Sequence, residues 1–198
     1  MSVLSRPWGA FLAGALLAAL VLGFWLMGAR VDTLGLTAFL ARFTHIFAAM
    51  LWVGMIWFVN FIQLAALDDA EDAGRAALMR HVVPQVATVY RHASNIVLAS
   101  GVVLLLTNGY VLDRWVFPSA VYIPTFRGGL ILGGVAAGIA MWASVQFLIW
   151  PSLRIVLDPG AELPAKALAR QRIRVAARVN LLLAVPVTFV MVAAAHLY

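Results

Sequence analysis

The sequence has 198 residues, 64% of them hydrophobic and 11% charged, with a mean hydropathy of +0.98 and no cysteine. That apolar share lies far above the roughly 45–50% of water-soluble domains, and the missing thiols exclude disulfides, thiolate metal sites, iron–sulfur clusters and CxxCH haem attachment. The net charge of +6 does not point to nucleic acid, because the arginines stand beside apolar runs, where they anchor and orient membrane segments.

Apolar runs of ~18 residues or more mark bilayer-spanning helices, and the chain contains five. The first covers about 8–28. Its run from Phe11 to Met27 exceeds the ~7–15 residues of a signal-peptide core, so it reads as a retained helix. The second covers about 36–67, longer than the ~20 residues a bilayer needs, with Arg42 marking its interface. Asp68, Asp69, Glu71 and Asp72 follow, then Arg75, Arg80 and His81; Asp68 or Asp69 is the expected cap of a short surface helix. Pro84 interrupts the next helix near its start or separates it from that surface helix, and the third span covers about 92–111.

The connector from Asp113 to Arg127 carries Pro118 and Pro124, with Trp115, Phe117 and Tyr122 as interfacial aromatics. The fourth span, about 128–150, opens with Gly128, Gly129, Gly133, Gly134 and Gly138, small residues that let helices approach closely. Pro151 kinks or ends it. A polar loop over 158–174 holds a basic amphipathic helix, and the fifth span covers about 175–197, with Pro186 as a kink.

The expected fold class is all-α integral membrane: a single domain over 1–198, with spans two to five forming a four-helix bundle beside an N-terminal helix. Ten of the 14 basic residues then fall on the side of the N-terminus. By the positive-inside rule that side is cytoplasmic. The chain reads as a multi-pass protein of a bacterial inner membrane, its C-terminus periplasmic.

Ionisable residues inside a membrane mark candidate functional sites. His45 lies three residues past Arg42 and is placed near the outer face, as is His196 at the end of the fifth span. His81 and His92 stand near the inner face. On a helix, His45 is flanked by Ala41, Arg42, Ala48 and Ala49, and His196 by Ala193, Ala194 and Ala195. Two imidazoles from two helices, alanine-walled space and an interfacial arginine suit a b-type haem. His45 and His196 are the candidate iron ligands, Arg42 the partner for an acid group, and His92 a second cofactor-binding candidate. The plain alternative is that each histidine meets a backbone carbonyl, a phosphate or water, and that the alanine faces are packing seams. Met50, Met55, Met141 and Met191 are potential soft ligands for copper(I), although methionines commonly serve as packing.

Thr44–Phe61, H-x(6)-W-V-G-M-I-W-F-x-N-F, resembles the first histidine-bearing span of the membrane domain of bacterial cytochrome-c-fused urate oxidases. Arg178–His196 resembles that family's R-x-N…L-P-V-x-F-x-M-x(4)-H ending through Arg178, Asn180, Pro186, Val187, Phe189, Met191 and His196. YRHASNIVLASGVVLLL between them is similar to its third conserved span. Val179 stands where the family pattern has a histidine, and these 198 residues contain no cytochrome c part. The resemblance therefore implies a histidine-lined haem scaffold acting in electron transfer, with membrane redox subunits or a cytochrome c as partners, rather than urate oxidation. The same helical pattern resembles copper-resistance membrane domains and the membrane protoporphyrinogen oxidase group. A cofactor-free assembly subunit and a copper-handling protein are the competing expectations.

Overall fold

The structure is a computed structural model that describes residues 5–29, 31–108 and 125–197. The end of the third expected span and the aromatics Trp115, Phe117 and Tyr122 lie outside the described residues, as do Pro118 and Pro124. Every regular element among the described residues is helical. Five helical stretches are long and apolar enough to cross a membrane.

Helix α1 spans Pro7–Gly28. Pro7 opens it, where the missing N–H costs nothing and the fixed φ suits the first turn. None of its residues is buried, and Phe24 is 82% exposed. Helix α2 spans Thr33–Asp69. Asp32 starts it by accepting the Gly35 N–H at 2.6 Å, which satisfies one of the free first-turn donors. The contacts divide the chain into residues 1–37 and residues 38–198.

In the second unit, α2 is followed by α3 (Asp72–His81), α4 (Val83–Thr107), α5 (Phe126–Leu157) and α6 (Leu163–His196). Glu71 precedes α3 without a side-chain cap, and Asp72 occupies its first turn, where a carboxylate favours the positive end of the helix. The short surface helix is present, but its capping aspartate is not. At the start of α5 the Thr125 hydroxyl accepts the Gly128 N–H at 3.0 Å.

Two π-turns interrupt the α-helical ladder, over Val59–Gln63 in α2 and Ser144–Ile149 in α5. The second lies directly before Pro151. A proline lacks the N–H and crowds the carbonyl four residues back. With a wide turn ahead of it, α5 continues to Leu157 instead of ending. Helix α6 is also longer than the fifth expected span: the polar loop is confined to 158–162, and the basic segment from Leu163 onward is the first part of one 34-residue helix. That helix contains no glycine and runs through Pro186.

The unit packs around Trp52 and Ile56 of α2, Tyr90 and Ala93 of α4, Met141 and Val145 of α5, and Ala184 of α6. Helices α5 and α6 run antiparallel, with Arg127 Nε donating to the Ala194 carbonyl at 2.8 Å. Seven residues along α5, a Cβ added to Gly134 would stand 2.6 Å from Met191 Cε. The expected glycine seam is therefore real at this position, while Gly129, Gly133 and Gly138 face open space. At the other end of α6, Arg174 makes a two-pronged ion pair with Asp68 of α2, at 2.7 and 2.8 Å. The outer faces are apolar, with Phe147, Leu182 and Phe189 67–70% exposed. Water penalises such faces and hydrocarbon does not.

Candidate functional site

His45 lies on α2, half-buried against α4. Its Nδ1 is 3.0 Å from the Val97 carbonyl and 3.2 Å from Ser100 Oγ. The Ser100 hydroxyl donates to Ile96 O at 2.5 Å, so toward His45 its oxygen is an acceptor. A carbonyl accepts only. Both neighbours therefore require the proton on Nδ1, and the neutral ring presents a bare lone pair at Nε2. Gly101 lets the ring approach: a Cβ there would stand 3.2 Å from His45 Cε1 and 3.4 Å from Nδ1.

Among the described residues none of the remaining expected residues shares a hydrogen bond with His45. Arg42 Nη2 donates to Asn108 Oδ1 at 2.9 Å, tying α2 to the end of α4. His196 is exposed and is the last residue of α6, two positions beyond the Ala194 carbonyl that holds Arg127. No hydrogen bond joins His45 to His196 among the described residues. His92 is exposed on α4, and His81 is exposed at the end of α3. Among the described residues no three of His, Cys, Asp or Glu converge on a metal-sized site. Ala41, Ala48, Ala193 and Ala194 are buried at 4–8% exposure, so these faces pack against protein. Met50 is 69% exposed whereas Met141 is 2% exposed.

The densest polar chemistry lies elsewhere, on residues that a search for ionisable groups passes over. At the first π-turn, Asn60 is 3% exposed and donates its amide to Ile56 O at 2.9 Å and Ala177 O at 3.1 Å. Asn180 on α6 donates to the Tyr90 hydroxyl at 3.0 Å. With their amides so oriented, Asn60 Oδ1 and Asn180 Oδ1 are buried without a hydrogen-bond partner, as is Gln63 Oε1. Asn60, Gln63 and Tyr90 border a cavity of ≈ 60 Å³, closed mainly by aliphatic side chains such as Val86, Ile149 and Leu153. Polar residues spaced one helical turn apart inside an apolar run, as with Asn60 and Gln63, were the available signal.

A second group joins α4 to the π-turn of α5. Gln146 Nε2 donates to Asn95 Oδ1 at 2.9 Å and to Ser94 Oγ at 3.3 Å. Trp142 Nε1 donates to the same Asn95 oxygen at 2.8 Å, and Arg91 Nε donates to Gln146 Oε1 at 2.8 Å.

The described residues thus define a helical protein with five apolar helices of membrane-spanning length, a histidine whose neighbours select one tautomer, and a belt of amide and aromatic side chains. No family model, no curated protein and no solved structure matches it.

Proposed function

We propose that the protein is a multi-pass bacterial inner-membrane protein, N-terminus cytoplasmic and C-terminus periplasmic, that binds b-type haem and takes part in electron transfer. It would act alone or as a subunit of a membrane redox complex, with other redox subunits or a cytochrome c as partners. The observation that carries this reading is His45. A histidine that ligates a metal commonly donates its other ring N–H to a carbonyl or carboxylate, which fixes the tautomer and raises ligand basicity. The Val97 carbonyl gives His45 that partner at 3.0 Å.

Haem when bound supplies a reversible one-electron iron couple. His45 Nε2 would ligate the haem iron. His196 is proposed as the second ligand on the ground of its place in the sequence, and Arg42 retains guanidinium N–H groups for an acid group beyond Asn108. His92 is the weaker inner-level candidate. Urate oxidation is not part of the proposal.

A visible absorption spectrum of the purified protein tests this reading. Expected are a Soret band and, on reduction, an α-band, with His45→Ala and His196→Ala each altering the spectrum. A preparation without a Soret band refutes haem binding, and a spectrum unchanged in His45→Ala refutes the ligand assignment.

A second reading is a cofactor-free structural or assembly subunit. It is favoured by the same His45 bonds, which also serve as a latch between α2 and α4. Copper handling by methionines would require them to converge, and the contrast between exposed Met50 and buried Met141 lends it no support.

A further inference from the structure

Among the described residues Arg91 is a fixed cation without a counter-charge. The ion pairs among the described residues are Asp72–Arg75 and Asp68–Arg174, and neither involves it. It is half-buried, its Nε is spent on Gln146 Oε1 at 2.8 Å, and its guanidinium carbon lies 4.5 Å from the centre of the Trp150 ring. Gln146 is itself held by Asn95 and Ser94, so the plane of the fork is set from both helices. Of the five N–H donors of a guanidinium, the Nη hydrogens have no acceptor among the described residues.

Immobilising an arginine against an aromatic face removes the entropy cost of ordering it and presents a flat, two-pronged donor. That geometry matches phosphate. A half-buried guanidinium without an anion is costly in a low-dielectric setting, so the arrangement is built for one. Position identifies the source. Arg91 precedes the apolar run of α4, and Trp150 closes that of α5. The helices are antiparallel neighbours, so the pair stands at one aqueous boundary, at the depth where headgroups lie and where tryptophan concentrates. Among the described residues no ion pair gives Arg91 a carboxylate, and its guanidinium occupies the Trp150 face that could otherwise take a choline ammonium, so the site favours an anionic headgroup.

We propose that Arg91, stacked on Trp150 and oriented by Gln146, binds the phosphate of an anionic phospholipid seated against α4 and α5. The proposal rests on the membrane placement given above and is independent of haem.

The test uses the full chain. Resistance of the expressed protein to alkaline extraction from membranes is measured first; release into the supernatant overturns the membrane placement itself. The protein in neutral detergent is then titrated with phosphatidylglycerol, phosphatidylcholine or inorganic phosphate. Bound lipid is followed by native mass spectrometry and stability by the melting temperature. Expected is retention of one phosphatidylglycerol with a raised melting temperature, and little effect of the other two. Arg91→Gln should weaken retention about tenfold, the loss of a charge-assisted bidentate contact, and Trp150→Leu several-fold. Arg154→Gln, an exposed arginine on α5, should leave it unchanged. Should Arg91→Gln fail to fold, Gln146→Leu keeps the charge, frees the fork and should weaken binding several-fold. Parental binding in Arg91→Gln or Gln146→Leu overturns the site. An equal response to inorganic phosphate overturns the lipid as its occupant.

Discussion

Asn180 donates its side-chain amide to the Tyr90 hydroxyl at 3.0 Å, and the pair is buried, at 0% and 6% exposure. The bond links α6 to α4 inside the core, next to Trp52, whose ring meets Tyr90 edge-on at 6.4 Å. A buried donor that loses its acceptor costs about 1–3 kcal/mol, whereas replacing both partners with apolar groups of similar shape is close to neutral. Tyr90→Phe should therefore lower unfolding stability by that amount. The double variant Tyr90→Phe/Asn180→Leu should lie nearer the parent. Equilibrium unfolding in detergent compares them, and equal losses in both would refute the coupling.

Gly101 governs how closely His45 lies on α4. An added methyl at 3.2 Å from Cε1 must displace a rigid ring that is tethered through Nδ1. Overpacking of this kind costs about 1–3 kcal/mol. Gly101→Ala should fall at the low end and Gly101→Val at the high end. In a His45→Ala background the cost of Gly101→Ala should largely vanish, a non-additivity that a double-mutant cycle reads directly. Additive costs would mean that the ring is not what the methyl meets.

The Arg174 guanidinium, by its hydrogen bonds, holds the Asp68 carboxyl below the usual carboxylate range. Asp68 lies beyond the apolar run of α2. A lowered folded-state pKa means that the pair stabilises the protein above the ordinary carboxylate value of about 4, and that the gain is lost as pH falls through the lowered value. The melting-temperature difference between the parent and Asp68→Asn should be constant above about pH 5 and should close in acid. The pair is exposed, so the difference is small and shrinks further in about 1 M salt. A difference that widened in acid would contradict the assignment.

Gly134 of α5 packs against Met191 and Val190 of α6. An alanine there meets first the mobile end of Met191, at 2.6 Å from Cε, and then Met191 Sδ and Val190 Cγ2, both at 3.2 Å. The methionine methyl can swing aside; a branched side chain leaves it no room. Gly134→Ala should cost about 1 kcal/mol and Gly134→Val about 3 or more, by thermal unfolding. Gly133→Ala, whose added methyl meets open space, is the control and should be near neutral.

Hydropathy alone located the apolar runs, because length and polarity determine whether a helix can cross a bilayer, and five such helices are present. Prolines and polar stretches were poorer guides to helix ends. Pro151 follows a π-turn that accommodates it, and 163–174 continues as helix because it contains no turn-forming residue after Pro164. His45 was legible as a candidate, but its partner was not. The Val97 carbonyl is a backbone group, and side-chain patterns do not encode which carbonyl another helix presents. Likewise Asn60 acquires its role from a contact with α6, and Asn180 and Gln146 from contacts with α4; the spacing of Asn60 and Gln63 marks polar positions but not their partners.

A glycine-free helix of 34 residues is about 50 Å long, against roughly 30 Å of hydrocarbon. In a bilayer about two fifths of α6 would therefore extend past the apolar layer, as a basic arm bearing Lys166, Arg170 and Arg172. Asp68 grips this arm near its exit, and Asn180 lies about one and a half turns further in. No glycine separates Arg174 from Asn180, so a tilt of the basic end of α6 would bear on the Asp68 ion pair and on the buried Tyr90 contact together.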